Sequence, residues 1–427
     1  MVTKVDHFLA GWEASILSQA ERLLLINAVL SSLPVYAMSA FKLPAKIIEE
    51  IDKRRRAFLW TGEDACSGAK CLVAWDLVCK PKERGLGIKD IKLQNEALLL
   101  KRLFLLYSSN SAWASWLWEE YKDDSLLKSL PLGPHWSSMQ KLIPELQHLT
   151  SVQVGDGART SFWHDCWISK PALANVFMPL YTHALNKDDT VRNVMQRGLV
   201  SSLVPRLTVT ANLELQRLQA ALQSFTLSNE PDKRTYGTKA APNVTCKQFY
   251  EARLLPGIVS PLWDAIWKCK APLKVKFFAW LLVKDRLSTK KNLHKKTIVP
   301  NDICDICNGA TETASHLCFF CPFAKSFWDK IGVQPMIQDV AQFHQHKPGS
   351  RIPILHYQVF YLLCFWALWN HRHDVVFRGQ TPSITSCLQR CIHEAALWAK
   401  NLKSEDRYVI QIWKEIFSSP LQSIHSM

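Results

Sequence analysis

The chain has no long uninterrupted apolar run. Its most apolar stretch, VFYLLCFWALW from Val359 to Trp369, falls short of the ~20 residues a helix needs to cross a bilayer and reads as a buried core helix. The N-terminus, MVTKVDHFLAGWEASIL, has no continuous apolar signal core, so secretion is not expected and the protein is placed inside the cell, in nucleus or cytoplasm. Thirteen cysteines in such a chain imply a reducing compartment. Acidic residues are also outnumbered: 37 Asp and Glu stand against 52 Lys and Arg, a net +15. That balance predicts attraction to polyanions, with nucleic acid first and an acidic membrane surface second. No short-period repeat is present. At 427 residues, 48% hydrophobic with 17 Trp, the chain is long and apolar enough to bury the cores of two or three domains.

The strongest chemical signal is ICDICNGATETASHLCFFCPF, in which Cys304, Cys307, His316 and Cys321 form C-x2-C-x8-H-x4-C. Two cysteines separated by two residues can bite one ion from a tight turn, and the loop brings His316 and Cys321 round as the second pair, a spacing that suits tetrahedral zinc. Four protein ligands leave no position for water. The motif therefore predicts a structural zinc and argues against zinc hydrolysis. The bland alternative is a set of buried or idle thiols. Cys318 lies two residues past His316, on roughly the opposite face of a helix, so Cys321 is the better fourth ligand, with Cys318 left as a competitor.

Ser18-Gln-Ala-Glu21 is a capping box in front of LLLINAVL, and Pro34 ends that element. A second helix from Pro44 places Ile47, Ile48, Ile51, Phe58 and Leu59 near one face, interrupted by Lys53 to Arg56, a run that reads as a solvated face. A third helix spans about Leu93 to Tyr107. Between about 150 and 255 helical signals thin out: VQVGDGARTSFWHDCW reads as strand, turn and strand, and SNEPDKRTYGTKAAPN as a loop. From Pro261 order returns, and Pro322 opens a helix aligning Phe323, Phe327 and Ile331 before Gly332. Thr381-Pro382 begins another, with Ile384, Cys387, Leu388, Cys391, Ile392, Ala395 and Trp398 as its apolar stripe. The fold class is mainly α with a small mixed α/β middle segment.

LSQAERLLLINAVLSSLPVYAMSAFKLP, FLWTG, KERGLGIKDI, VGDGARTSFWHDCW and PLKVKFFAWLLVKDRLSTKKNL, followed by the Cys/His cluster and FAKSFW, resemble in order and spacing the C-terminal part of a plant non-long-terminal-repeat (LINE-type) retrotransposon polyprotein. That region follows the reverse transcriptase palm and carries the reverse-transcriptase zinc-binding domain. LWNHRHDVVF resembles the segment leading toward a ribonuclease H domain. Glu21 and Arg84 stand where the family pattern has glycine, and Cys318 where it has an apolar residue. The resemblance implies a helical thumb-like region over 1–125, a mixed region and linker over 126–255, the zinc-binding domain over 256–335 and a helical region over 336–427. It also implies that the palm precedes residue 1 and that the chain stops where ribonuclease H would begin, so no catalysis is expected.

Two sequences mimic active sites. Tyr121-Lys-Asp-Asp124 spells a polymerase Y-x-D-D, but Glu119 and Glu120 precede it where an apolar strand belongs. Asp156-Gly157 has the letters of the first ribonuclease H carboxylate, yet ARTSFWHDCW follows, and a turn explains it better. Nucleic-acid contact is expected instead from the basic segment Lys268–Lys296, chiefly Lys274, Lys276, Lys290, Lys291, Lys295 and Lys296, with Asp285 its only acid. If Ser288 or Thr289 caps a helix, Lys290 and Lys291 fall in its first turn, where the macrodipole disfavours cations and an external anion would help. Solubilising lysines are the plain alternative. The reading is a non-catalytic, retrotransposon-derived zinc-binding protein that binds RNA or DNA, with the retroelement polymerase part as a further partner and no small-molecule substrate. Two others stay open: a protein-interaction module in which zinc is only a staple, and a relic frame without selected role.

Overall fold

A computed structural model describes residues 2–10, 14, 16–82, 84–109, 111–120, 133–237, 244–254, 260–346, 349 and 351–422. Tyr121 to Asp124 lie outside the described residues. The architecture is mainly helical, with one two-stranded sheet. The chain divides into two compact units, one made of Met1–Ser31, Ile51–Lys89 and Gly257–Met427, the other of Ser32–Glu50 and Asp90–Pro256.

The second unit is built on the helix Ile91–Ser108, capped by Asp90, whose carboxylate accepts the Leu93 N–H at 3.0 Å. Leu99, Leu100, Leu103 and Phe104 bury one side against Leu146 and Phe249. Asn95, 1% exposed, donates to the carbonyls of Met38 and Phe41 and accepts the Leu43 N–H, so one amide satisfies the frayed end of the Val35–Ala40 helix. A second cluster gathers Phe162, Trp163, Leu180, Val191, Val194 and Leu218.

The first strand of the expected pair forms at Thr150–Gln153, but its partner is Lys233–Tyr236, antiparallel, with Val152 opposite Arg234. The segment after Gly157 makes only an isolated bridge from Ser161 to Thr190. This corrects the second strand, and within the stretch read as a loop from Ser228 it places a strand at Lys233–Tyr236. The cause is Asp232, whose carboxylate accepts from the backbone of Gly155, Gly157 and Arg159 and from Thr160 Oγ1, curling the segment into a knot. Gly157 at φ +69° is the turn residue, and Asp156 pairs with Arg192.

In the first unit the capping box forms as read: Ser18 and Glu21 exchange side-chain and backbone bonds ahead of Gln19–Leu25. The long helix Tyr357–Arg378 buries the apolar run Val359 to Leu368 and packs on Leu273–Val283 and Ile384–Trp398, the latter through Cys387, Leu388, Cys391, Ala395 and Trp398. Trp280 and Trp328 are core. The basic run Lys53 to Arg56 is not uniformly solvated, because Arg55 is fully buried, bonded to Asp52, Ser31 Oγ and the Lys89 carbonyl. Among the described residues no helix is long and apolar enough to cross a membrane.

Candidate metal centre and its basic flank

Cys304 and Cys307 sit in a tight turn. Cys304 donates its N–H to the Ala310 carbonyl at 2.9 Å, Asn308 returns its N–H to the Cys304 carbonyl at 2.8 Å, and Asn308 itself adopts φ +52°, a left-handed position that Asn tolerates. A bridge from Ile303 to Thr311 closes the loop behind them. His316 opens a π-helical turn through Phe320, closed by the Cys321 N–H on the His316 carbonyl at 2.7 Å. This widened turn, five residues rather than four, brings Cys321 to the side of His316. The helix Pro322–Lys330 begins immediately after.

The four ligand atoms of Cys304, Cys307, His316 and Cys321 all lie within 4.8 Å of one another, and Cys307 Sγ stands 3.4 Å from His316 Nε2. Around a tetrahedral zinc, with Zn–S about 2.3 Å and Zn–N about 2.0–2.1 Å, such atoms stand roughly 3.5 Å apart. A small inward movement therefore closes the set on one ion. The donors behind the sulfurs also fit: the N–H groups of Ile306 and Cys307 bond Cys304 Sγ, and those of Phe323 and Ala324 bond Cys321 Sγ. N–H groups aimed at sulfur stabilise thiolate, the form that binds metal. The hydrogen bond from Cys304 to Cys321, then burial, pushes the Cys304 thiol up to about 12, and the same bond lowers Cys321. Cys318 is outside the cluster, 3% exposed in the core, with the Trp328 indole N–H on its carbonyl.

Glu312, between the two ligand pairs, has no exposed surface. Its carboxylate takes a two-pronged contact from Arg372, 2.8 Å to Nη2 and 3.3 Å to Nε, and the Lys290 backbone N–H at 2.8 Å. The anion at the start of the Lys290–His294 helix is thus internal, which replaces the external anion expected there. Thr289 is the cap, accepting the Asn292 N–H. Nothing in the sequence pattern pointed to Glu312 or Arg372. LWNHRHDVVF, which contains Arg372, is part of the core helix Tyr357–Arg378.

The six lysines separate into two kinds. Lys291, Lys295 and Lys296 are exposed, beside the zinc loop in sequence. Lys290 is largely covered and paired with Asp305. Lys276 reaches the Trp267 carbonyl at 2.9 Å, and burial lowers its pKa. Lys274 is exposed, 3.9 Å from Glu394 and over the Trp366 ring.

Residues 245–328 match the family described as zinc-binding in reverse transcriptase. An uncharacterized mitochondrial protein of Arabidopsis thaliana is 31% identical over 146 residues, 32% of this chain and 93% of that protein. The chain belongs to the plant retrotransposon-derived reverse-transcriptase zinc-binding family. The Cys3His cluster lies within the residues that match this family. A protein of Arabidopsis thaliana named "putative ribonuclease H protein" is 29% identical over 348 residues, 78% of this chain and 55% of that protein. The chain spans about half the length of this relative. That likeness corrects the expectation of a non-catalytic protein: a match over most of this reverse-transcriptase zinc-binding chain to a protein named for a nuclease points toward an enzyme.

Proposed function

We propose that this retroelement-derived chain holds one structural zinc at Cys304, Cys307, His316 and Cys321 and binds RNA or DNA through the basic surface beside it, within a protein of the ribonuclease H kind named for its relative. The observation that carries the reading is the exposed trio Lys291, Lys295 and Lys296, the first on the short helix Lys290–His294 and the other two in the turn that ends it, with the helix start tied by Glu312 to the Cys/His loop. Cations on an anchored frame suit phosphate contacts, which position a nucleic acid without reading its sequence. The net charge of +15 adds long-range attraction.

Salt-titrated binding to a labelled oligonucleotide tests this. Log affinity should fall by ~0.7–0.9 per log salt for each phosphate neutralised, RNA and DNA alike. Replacing Lys291, Lys295 and Lys296 by Gln should weaken binding and flatten the slope with zinc content unchanged. The same affinity and slope in the triple variant would leave these lysines as a solvated face and favour docking of a protein, such as the retroelement polymerase part. Release of labelled fragments from an RNA–DNA hybrid in magnesium would assign ribonuclease activity to this stretch itself.

A further inference from the structure

The helix Tyr357–Arg378 carries a row of aromatic rings that its core packing does not use up. Trp366, Trp369, His373 and Phe377 follow one another at three- and four-residue spacing, which puts them on one face. Trp369 and His373 centroids are 4.8 Å apart and His373 and Phe377 5.1 Å. Trp366, Trp369 and His373 are half-buried, while Phe377 is 66% exposed. Phe278 supports the row from below, 5.2 Å edge-on to Trp366.

One end of the row lines a cavity of about 280 Å³, with Phe277, Phe278, Leu281 and Leu287 as its apolar wall. Ser288 and Gln19 supply polar groups, and Lys274 stands at its edge. That volume exceeds a single planar base, and the walls are ring faces and edges. Lys274 Nζ is 5.7 Å from the Trp366 ring; the Arg372 guanidinium, 5.4 Å from Trp369 and 5.6 Å from Phe377, is buried against Glu312 and braces those rings from within. Arg372 Nη1 is buried with no hydrogen-bond partner. Glu394, bonded to the Trp366 indole N–H, faces Lys274 at 3.9 Å, and Glu21 is a second acid within its electrostatic reach.

We propose that this row and cavity form a stacking site for unpaired bases of single-stranded nucleic acid. A polyanionic strand is the occupant that the charge favours, since the chain carries +15 and the exposed Lys274 stands over the Trp366 ring where the row meets the cavity. A base offers a flat π-face to Trp369 and His373 whatever its identity, so the site is sequence-tolerant and selects against duplex, whose bases are already stacked. The inference deepens the nucleic-acid reading and rests on it. It adds base contact to phosphate contact.

The test compares a fluorescein-labelled oligo-dT with an abasic strand of the same length and charge, by anisotropy on the full chain. Stacking is worth ~1–3 kcal/mol per base, so the base-bearing strand should bind roughly 5- to 150-fold tighter at equal salt slope. Trp369→Leu should remove most of that advantage and leave abasic binding alone, and Trp369→Phe should restore much of it. Equal affinity of wild type for both strands overturns the stacking site while leaving the phosphate reading intact. Binding of neither strand overturns both. If Trp369→Leu unfolds, the wild-type comparison still decides.

Discussion

Glu312 and Arg372 are sensitive to substitution, because both are buried and each is the other's counter-charge. Removing one partner of such a pair leaves an uncompensated ion, at a cost of ~3–5 kcal/mol, whereas replacing both by neutral groups of similar size costs far less. Glu312→Gln should therefore lower unfolding free energy by about that amount in urea titrations, and adding Arg372→Met should recover part of it. A change within about 0.5 kcal/mol for Glu312→Gln would rank the pair with ordinary surface charges. The Cys3His cluster was legible because the geometry of its pairs is local: two residues between Cys304 and Cys307, and one wide turn between His316 and Cys321. Glu312 and Arg372 were not, since a pairing over a separation of 60 residues leaves no periodic trace. Arg55 was misplaced for a related reason. Its partners Ser31 and Lys89 come from other segments, so local pattern reads only a basic run.

At the scale of elements, helices with a cap and an apolar stripe were readable, as Ile384–Trp398 and Gln19–Leu25 show. The sheet was not, because Thr150–Gln153 finds its partner in Lys233–Tyr236 across an intervening helical stretch. The junction between Tyr357–Arg378 and Ile384–Trp398 has a titrating group at its centre. His371 is 2% exposed, stacks on Phe323 and accepts the Ser383 N–H on Nε2, an acceptor role open only to the neutral ring. Burial first, then Arg390, lowers its pKa below the ordinary 6.5, with Asp374 opposing. The unfolded chain thus binds protons that the folded chain refuses. Stability is present above about pH 6.5 and is lost as pH falls from there through the folded value. Urea unfolding at about pH 7.5 and pH 5.5 should show that loss in wild type and a smaller one in His371→Gln. His373, also lowered by burial, supplies part of the remainder. An equal loss in both proteins would remove His371 from the account.

For the whole molecule, the Cys3His cluster and the apolar clusters around Leu100 and Trp163 fall in different compact units. Metal should therefore matter unequally along the chain. Elemental analysis should find one zinc per chain, and structural zinc supplies ~10–16 kcal/mol of apparent binding energy in small modules. Chelation, or Cys304→Ser, should speed amide hydrogen exchange from about Pro261 to Gly332 while leaving Ile91–Ser108 protected. Uniform exchange with and without chelator would show that the cluster holds nothing together. Cys318→Ala should keep the zinc, since its thiol sits in the core away from the other four.

The Glu312–Arg372 pair also bears on how such genes decay. The family match ends at residue 328, and all four ligands lie before it, but the guanidinium that neutralises Glu312 is encoded well downstream. A frameshift or stop codon between codons 328 and 372 would leave the Cys/His signature intact in the open reading frame while stranding a buried carboxylate. Such a truncated form of this chain would keep the Cys/His pattern whole and still lose the counter-charge of a residue lying between its two pairs. The length of chain the Cys/His loop needs is therefore greater than the length that carries its signature.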